Sequence, residues 1–299
     1  MELTNLIIRN DEKAIFSLRS LYRSHGYSQF KMRKFEEYDL YVKNKDFLIS
    51  DSVITFTDTN GKLMALKPDV TLSIIKNTKD TPGVRKLYYN ENVYRVSPRT
   101  HAFREIMQVG LECIGEVDSA CVAEVLTLAA ESLKSISESY VLDVSHMGIV
   151  SEILDKCHAS FECRKKILQC FGEKNVHELA AVCEADGFAE EMIRLLQKLV
   201  LTCGKPGEVL PEIEKALAGV VSEQSLRELA CAVASLDSEC VNVDFSVVND
   251  IDIGTVIATG IGDDGRKCLA DVGCLVSCDG KIPCSIVFFL AKKGVCEGC

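Results

Sequence analysis

The first helix of the chain is predicted by the spacing of its apolar residues. Within residues 11–25, Ala14, Leu18 and Tyr22 recur at intervals that place them on one helical face. Gly26 follows at a position where helices commonly end. The sequence therefore predicts an amphipathic helix over residues 11–25.

A hairpin and a short helix are predicted next. The runs 53–58 and 62–67 lie on either side of the Asn60-Gly61 pair, which readily takes the positive φ angles that a tight turn needs. Residues 68–77 begin with a proline, whose missing N–H costs nothing in the first turn of a helix. We therefore expect a hairpin followed by a helix that starts at the proline.

The middle of the chain is predicted to form two long strands and a helix. Residues 85–96 and 103–114 are rich in β-branched and aromatic residues, and we expect them to pair antiparallel across the loop 97–102. Residues 118–139 carry an apolar stripe at helical spacing, and residues 140–145 favour a strand.

The second half changes from helical to extended patterns. Leu and Ala recur at three- and four-residue spacing from 147 to about 237, which predicts helices throughout. Strands are predicted at 241–248, 255–261 and 285–290, with a turn at Gly262–Gly265. The fold class is therefore α+β: a core formed by residues 1–146 and 239–299, interrupted by a helical insertion at residues 147–238.

Composition limits the classes of function. Hydrophobic residues make up 47% and charged residues 26% of the 299 residues, and the net charge is −10 without any block of Lys and Arg. Proteins that chiefly bind nucleic-acid backbones depend on clustered basic charge, so no tRNA is expected as a partner. No apolar run is long enough to span a bilayer and no secretory signal precedes Asn10, so we expect no membrane partner and a cytoplasmic protein.

The chain has fifteen cysteines, which a reducing compartment would keep as thiols. Five of them have apolar neighbours and are expected to be buried: Cys113, Cys121, Cys170, Cys183 and Cys231. The last pair, Cys296 and Cys299, has the spacing of a zinc-binding pair, but the other cysteines of the tail are irregularly spaced. We expect a cysteine-rich tail without a metal, with a structural metal as the alternative.

Candidate chemistry lies on the strand 103–114. Because side chains alternate between the faces of a strand, Arg104, Gln108, Gly110 and Glu112 share one face, while the other is mainly apolar and should pack on the core. A glycine between the amide and the carboxylate would let a ligand approach the backbone. The alternative is an ordinary solvent-facing sheet surface, where polar residues also alternate.

Two segments resemble motifs of a known family. Residues 94–115 resemble motif 2 of the class II aminoacyl-tRNA synthetases in its histidyl form, and the segment from Lys67 to Thr71 resembles that family's R-P-E-x-T element. The resemblance covers about residues 10–260. It implies the class II synthetase core, a mostly antiparallel sheet flanked by helices.

The resemblance also implies half of a histidine site. In the histidyl enzymes the positions matched by Asp69 and Thr71 hold the amino group, the position of Gln108 assists them, and that of Glu112 takes the imidazole N–H. All four residues keep suitable chemistry. Charge-assisted hydrogen bonds of this kind are worth about 1.5–3 kcal/mol each.

The ATP-binding positions of the family are less complete in this chain. Arg95 and Arg104 match two arginines that bind phosphate and are the candidate anion contacts. Ser97 stands where a glutamate reads adenine, Ala102 stands where the loop arginine belongs, and the segment matching motif 3, residues 285–293, has no arginine. Losing one preorganised donor typically slows such catalysis about a hundredfold or more. We therefore expect no catalytic residues and no aminoacylation.

The C-terminal signature of the family also differs. Residues 248–254 and 269–273 stand where the histidyl enzymes have an arginine and the tyrosines that close the imidazole pocket, and none of these is present. Three alternatives are open for Glu112: weak imidazole binding, a different small ligand, or a vestigial pocket. His146, between the strand and the helix that follows it, is expected to cap the junction.

One branch of the family combines these features. It is the regulatory subunit of ATP phosphoribosyltransferase, which pairs with a short-form catalytic subunit in histidine biosynthesis. The resemblance implies histidine and that catalytic subunit as partners, a homodimer formed through residues 11–25 and 27–41, and no cofactor. The alternatives are a reduced synthetase that forms an amino-acid adenylate, and a scaffold that binds no ligand.

Overall fold

The computed structural model describes residues 8–43, 53–77, 83–97, 100–136, 140–248, 256–261, 267–268 and 284–292. The chain divides into two compact units. Unit 1 is Met1–Val117 with Val276–Cys299, and unit 2 is Asp118–Leu275.

Unit 1 contains three helices and two sheets among its described residues. Its elements are α1 (Asn10–Ser24), β1 (Ser28–Gln29), β2 (Phe35–Glu37), α2 (Asp39–Lys43), β3 (Thr55–Thr57), β4 (Leu63–Leu66), α3 (Thr71–Asn77), β5 (Val84–Val96), β6 (Phe103–Gly115) and β12 (Cys284–Lys292). The larger sheet has the order β1-β5-β6-β12 and the smaller β2-β4-β3. The central hairpin β5–β6 is antiparallel, whereas β1 and β12 run parallel to their neighbours.

The local sequence signals explain the first elements. Helix α1 ends one residue before His25, and Gly26 follows with φ of +82°, as the stop signal predicted. In the predicted hairpin, Gly61 also has φ of +82°, and Asp58 accepts hydrogen bonds from the amides of Asn60 and Lys62 at 2.8 Å each. Strands β3 and β4 pair antiparallel across this turn, so the hairpin prediction is confirmed.

The start of α3 was predicted three residues too early. The helix begins at Thr71 and not at Pro68. Asp69 Oδ1 accepts a hydrogen bond from the amide of Leu72 at 3.0 Å, so this side chain satisfies a first-turn donor from outside the helix. The capping carboxylate, and not the proline, therefore marks the start of the helix.

Unit 2 contains the predicted helical segment. Its elements are α4 (Ser119–Ile136), β7 (Val141–His146), α5 (Met147–Lys156), α6 (Phe161–Glu173), α7 (Val176–Ala185), α8 (Glu190–Leu201), β8 (Cys203–Gly204), α9 (Pro206–Leu217), α10 (Glu223–Ala234), β9 (Val241–Asp244), β10 (Val256–Ile261) and β11 (Lys267–Cys268). The sheet order is β11-β10-β7-β9-β8, in which only β7 and β9 are parallel neighbours.

Strand β9 is shorter than the predicted strand 241–248. It ends at Asp244, whose Oδ1 accepts a hydrogen bond from the amide of Ser246 at 2.8 Å, while its carbonyl accepts one from the amide of Val247. A side chain that bonds its own backbone two residues on favours a turn over a continued strand. The apolar alternation alone did not reveal this turn.

The compact units divide the chain elsewhere than the predicted domains. The predicted insertion 147–238 lies wholly within unit 2, together with α4 and β7, which the sequence assigned to the core. The predicted division therefore stays a prediction about the organisation of the chain.

The predicted burial of the cysteines is only partly confirmed, and part of the C-terminal tail lies outside the described residues. Cys113, Cys170 and Cys183 are buried as predicted. Cys121 is only partly buried and Cys231 is exposed, so the predicted burial was wrong for these two. The turn 262–265 and the pair Cys296 and Cys299 lie outside the described residues. In the described parts of the chain, no helix is long and apolar enough to cross a membrane.

Candidate functional site

The register of the β5–β6 hairpin places the predicted polar residues on one face. Residues directly opposite each other in an antiparallel pair project to the same side of the sheet. The pairs on this face are Leu87 with Glu112, Tyr89 with Gly110, Glu91 with Gln108, and Arg95 with Arg104. The predicted polar row on β6 is thereby joined by a second row from β5.

This face is covered for most of its length. Gln108 is 2% exposed and Glu112 is 0% exposed, so the alternative of a solvent-facing surface is wrong for these two residues. Arg104, near the hairpin tip, is exposed. The opposite face of β6 packs on the core from Val109 onward, but Phe103 is 74% exposed, so the predicted burial fails at the start of the strand.

Helix α3 and the residue before it supply apolar cover for the hairpin. Val70 and Ile74 form a buried cluster with Leu87, Tyr89 and Val93 of β5. The same helix begins with Thr71, whose hydroxyl donates a hydrogen bond to Glu112 Oε1 at 2.8 Å. Two predicted site residues that are far apart in the sequence are therefore in direct contact.

Glu112 has only part of its hydrogen-bonding capacity satisfied. Its Oε1 accepts from Thr71, while its Oε2 is buried and has no partner in the protein. Burial raises the pKa of Glu112 well above its usual value; the Thr71 hydrogen bond opposes this shift and the charge of Asp69 adds to it. A buried carboxyl with a free oxygen can accept a donor from a ligand.

Asp69 faces both the helix and the site. Its Oδ1 caps α3 through the amide of Leu72, and the residue is half-buried. Burial raises the pKa of Asp69, whereas the α3 amide and the positive charge of Arg95 act in the opposite direction. The positive charge of Arg95 therefore lies close enough to Asp69 to favour its ionised form.

Arg95 is held by one nitrogen and free at another. Its Nε donates a hydrogen bond to the carbonyl of Pro68 at 3.1 Å, while one terminal nitrogen is buried without a partner in the protein. A guanidinium with an unused buried donor is suited to an anionic group. Arg104 lies opposite Arg95 in register but is exposed, so the two arginines differ in surroundings.

Tyr89 is a site residue that the sequence did not single out. It is fully buried, and its hydroxyl has no partner in the protein. Burial raises the pKa of Tyr89 well above its usual value, and the charges of Glu112 and Asp69 raise it further. The available signal was strand parity, since Tyr89 alternates onto the same face as Glu91 and Arg95.

Lys67 is the second residue that was missed. It is 0% exposed, and its Nζ lies 3.0 Å from Glu91 Oε2. Burial lowers the pKa of Lys67, and the contact with Glu91 raises it in part. Ala65, two residues earlier, is buried in strand β4. Alternation along the chain therefore predicts that Lys67 points inward as well, whereas its charge favours exposure to solvent.

The described residues between β5 and β6 are hydrogen-bonded to one another. The amide of Ser97 donates to the carbonyl of Ala102 at 2.9 Å, and that of His101 donates to the carbonyl of Ser97 at 2.8 Å. Ser97 Oγ accepts from the amide of Thr100 at 3.4 Å. The serine at this position is therefore occupied within its own turn.

His146 caps the junction between β7 and α5, as predicted. Its Nδ1 accepts a hydrogen bond from the amide of Ile149, and its Nε2 lies 3.3 Å from Glu228 Oε2. Burial lowers the pKa of His146, and Glu228 opposes that shift. This histidine belongs to the frame of unit 2.

A sequence profile of the histidyl-tRNA synthetase family matches residues 7–258. The chain belongs to the histidyl-tRNA synthetase family. The match includes every residue of the site described above, from Lys67 to Glu112.

Curated relatives from this family bear two different names. A histidine–tRNA ligase from Methanococcus vannielii is 29% identical over 225 residues, which cover 71% of this chain and 54% of the ligase. An ATP phosphoribosyltransferase regulatory subunit from Oceanobacillus iheyensis is 21% identical over 252 residues, which cover 83% of this chain and 59% of that subunit. The chain thus spans between about half and three-fifths of these relatives.

Solved structures show the class II synthetase-like fold that the motifs implied. A Bacillus halodurans protein described as an ATP phosphoribosyltransferase regulatory subunit/histidyl-tRNA synthetase superposes with a TM-score of 0.71 and 21% identity, over 86% of this chain and 70% of that one. A chain of the ATP phosphoribosyltransferase complex from Thermotoga maritima gives 0.66 and 19%, over 86% and 90%. The architecture is mixed, with small sheets and a large helical content.

Proposed function

We propose that this chain is a non-catalytic regulatory subunit of ATP phosphoribosyltransferase that binds histidine and activates a short-form catalytic subunit. The observation that supports ligand binding is the free, buried oxygen of Glu112, whose other oxygen accepts from Thr71 and whose pKa is affected by the charge of Asp69. The observation that favours regulation over catalysis is that Ser97 and Ala102 stand where the family has its adenine-reading glutamate and its loop arginine.

Histidine matches the unused groups of the site. Its ring N–H would donate to Glu112 Oε2, and its carboxylate would accept from the free nitrogen of Arg95. Its ammonium would donate to Asp69 and to the Thr71 hydroxyl oxygen, which retains acceptor capacity while it donates to Glu112. Gln108, buried on the same face, would assist with its amide oxygen.

ATP would find fewer contacts here than in an active synthetase. Ser97 lacks the carboxylate with which a glutamate at this position reads the adenine amino group. Arg104, the other candidate phosphate contact, is exposed near the hairpin tip. Adenylate formation depends on preorganised positive charge at the α-phosphate, so we expect no adenylate.

The binding proposal is tested by titrating histidine into the purified protein in a calorimeter. Glu112→Ala should weaken binding by well over tenfold, because it removes the acceptor for the ring N–H and leaves a cavity. Glu105→Ala is the matched control, since Glu105 lies on the same strand but is exposed. If the wild type gives no heat at millimolar histidine, alone and with its partner, the protein is a scaffold and the sensor proposal fails.

The regulatory proposal is tested with a short-form ATP phosphoribosyltransferase catalytic chain. The two proteins should form a complex, and the catalytic chain should be more active in it and inhibited by histidine. Glu112→Ala should reduce the inhibition without dissociating the complex, because feedback requires the ligand to bind two states unequally. Failure to form a complex at micromolar concentrations would contradict this part of the proposal.

A second candidate function is amino-acid adenylation. It is favoured by the histidine–tRNA ligases among the relatives, whose 23–29% identity exceeds the 21% of the regulatory subunit. Histidine-dependent pyrophosphate exchange distinguishes the two. Exchange clearly above a blank without enzyme would replace the regulatory proposal by a reduced synthetase.

The chain is also proposed to form a homodimer through its N-terminal part. Phe16 of α1 and Phe35 of β2 are both more than half exposed, which is unusual for large apolar side chains. Light scattering at micromolar concentration should report twice the mass of one chain. A monomer would overturn this proposal and leave the ligand site unaffected.

A further inference from the structure

In the proposed site, Glu112 would contact only one side of the imidazole. Histidine offers two ring nitrogens, and Glu112 can serve only the one that bears a hydrogen. The other nitrogen is an acceptor, so a site that distinguishes histidine from other flat rings needs a donor opposite it. A buried hydroxyl without a partner in the protein lies on β5.

Tyr89 lies at the right place on the hairpin face. It is directly opposite Gly110, and Gln108 and Glu112 are its two diagonal neighbours on β6. Diagonal neighbours across an antiparallel pair are within reach of an aromatic side chain. Because residue 110 is a glycine, no side chain fills the space between Gln108 and Glu112 on β6.

The phenol is placed as an unused donor. Tyr89 is 0% exposed and its hydroxyl has no partner in the protein, although buried hydroxyls are normally hydrogen-bonded. Glu112 Oε2 and one nitrogen of Arg95 are unpaired in the same way. Burial raises the pKa of Tyr89 well above its usual value, and the charges of Glu112 and Asp69 raise it further, in keeping with the position of Tyr89 on their side of the sheet.

We propose that the Tyr89 hydroxyl donates a hydrogen bond to the unprotonated ring nitrogen of histidine while Glu112 accepts from the protonated one. The proposal rests on the proposed histidine site. It makes Tyr89 the specificity-determining residue for the ring, in place of the tyrosines that residues 248–254 lack.

Tyr89→Phe tests the hydroxyl alone, because it keeps the ring in the apolar cluster with Val70 and Ile74. Loss of one hydrogen bond to a buried ligand nitrogen should weaken histidine binding about tenfold in calorimetry. The melting temperature should stay the same or rise, since a buried hydroxyl without a partner is removed. Tyr88→Phe is the control: it deletes a buried phenol hydroxyl from the opposite face of the same strand and should leave the affinity unchanged.

A ligand change identifies the atom that is read. An alanine bearing a pyrrole ring keeps the ring N–H and lacks the acceptor nitrogen. The pyrrole can be attached through its 2- or its 3-position, which puts the N–H at the place of one or the other imidazole nitrogen. Testing both isomers therefore covers either orientation of the histidine ring against Glu112. Tyr89→Phe should therefore bind such a ligand as tightly as the wild type does. If neither isomer binds the wild type, the inference is decided by comparing the histidine affinities of Tyr89→Phe and Tyr88→Phe.

Three results overturn the inference, and they are distinguishable from one another. Unchanged histidine affinity in Tyr89→Phe removes Tyr89 from the site and leaves the proposed function standing. An equal loss for histidine and the pyrrole ligand assigns Tyr89 to the shape of the pocket and not to recognition of the nitrogen. Absence of histidine binding to the wild type, alone and with its partner, removes both this inference and the proposed sensor.

Discussion

The buried polar groups of the two units differ in how completely they are paired. In unit 2, both ring nitrogens of buried His146 have partners, and buried Asp244 has its Oδ2 3.0 Å from Lys174 Nζ. In unit 1, Glu112 and Arg95 each have a buried atom without a partner in the protein. Among the described residues, both units bury charged or polar side chains, but charged side chains with an unpaired buried atom occur in unit 1 and not in unit 2.

This difference separates structure from ligand binding. A buried charge with all its bonds satisfied holds elements together, and removing one partner leaves the other uncompensated. A buried charge with a free atom has a cost that a ligand, a water molecule or a change of protonation can relieve. Substitutions in the two classes should therefore affect stability and binding in opposite ways.

The largest expected effect comes from the Lys67–Glu91 pair, which resembles the paired groups of unit 2 although it lies in unit 1. Lys67→Met leaves Glu91 without its cation and should cost about 3 kcal/mol of unfolding free energy in urea denaturation. Lys67→Arg should retain most of the stability, because it restores a charged donor.

The double variant Lys67→Met with Glu91→Gln provides the control for that experiment. It removes both charges and should be more stable than Lys67→Met alone. If the two variants are equally unstable, the loss comes from packing at Lys67 and the pair does not belong to the satisfied class.

His146→Ala should have the next largest effect. It removes the cap of α5 and the contact with Glu228, which together are worth about 2 kcal/mol. The pKa of His146 is lowered by burial, so the unfolded chain takes up a proton before the folded one, and wild-type stability falls as the pH drops through the unfolded value of about 6.5. The variant should lose that part of the pH dependence, and histidine affinity should not change in calorimetry.

Glu112→Gln should behave in the opposite way. The pKa of Glu112 is raised, so the folded protein keeps a proton that the unfolded chain releases near pH 4.3, and wild-type stability falls as the pH rises through the folded-state value. Glutamine cannot ionise and can still accept from Thr71. The variant should match the wild type in acid, equal or exceed it in melting temperature above neutral pH, and bind histidine more than about tenfold more weakly. A large loss of stability at neutral pH would place Glu112 with the satisfied groups.

The sequence predicted more of the frame than of the site. Apolar periodicity and turn residues predicted α1, the β3–β4 hairpin and the β5–β6 pair. Motif spacing identified Thr71 and Glu112 as site residues, and the structure shows them hydrogen-bonded to each other. Strand parity also placed Tyr89 on the correct face.

The failures have a common physical origin. Asp69, and not Pro68, marks the start of α3, and Asp244 ends β9, because side-chain hydrogen bonds to nearby amides override apolar patterns. Lys67 was overlooked because a lysine is rarely buried without a partner, and Glu91, its partner, lies on another strand. Contacts of this kind depend on tertiary structure that local patterns do not contain.

The smallest expected effect tests whether a free buried atom is enough to mark a ligand site. Within the described part of unit 2, Ser145 and Ser246 have buried hydroxyls without a partner in the protein, and both are neutral. A neutral hydroxyl costs far less to bury than a carboxylate, and removing it also removes the unpaired group. Ser145→Ala should therefore change the unfolding free energy by less than about 1 kcal/mol, without any change in histidine affinity. A loss of about 2 kcal/mol or more, or an altered affinity, would show that Ser145 has a partner or a ligand of its own, and the distinction between the units would then rest on pairing alone and not on charge.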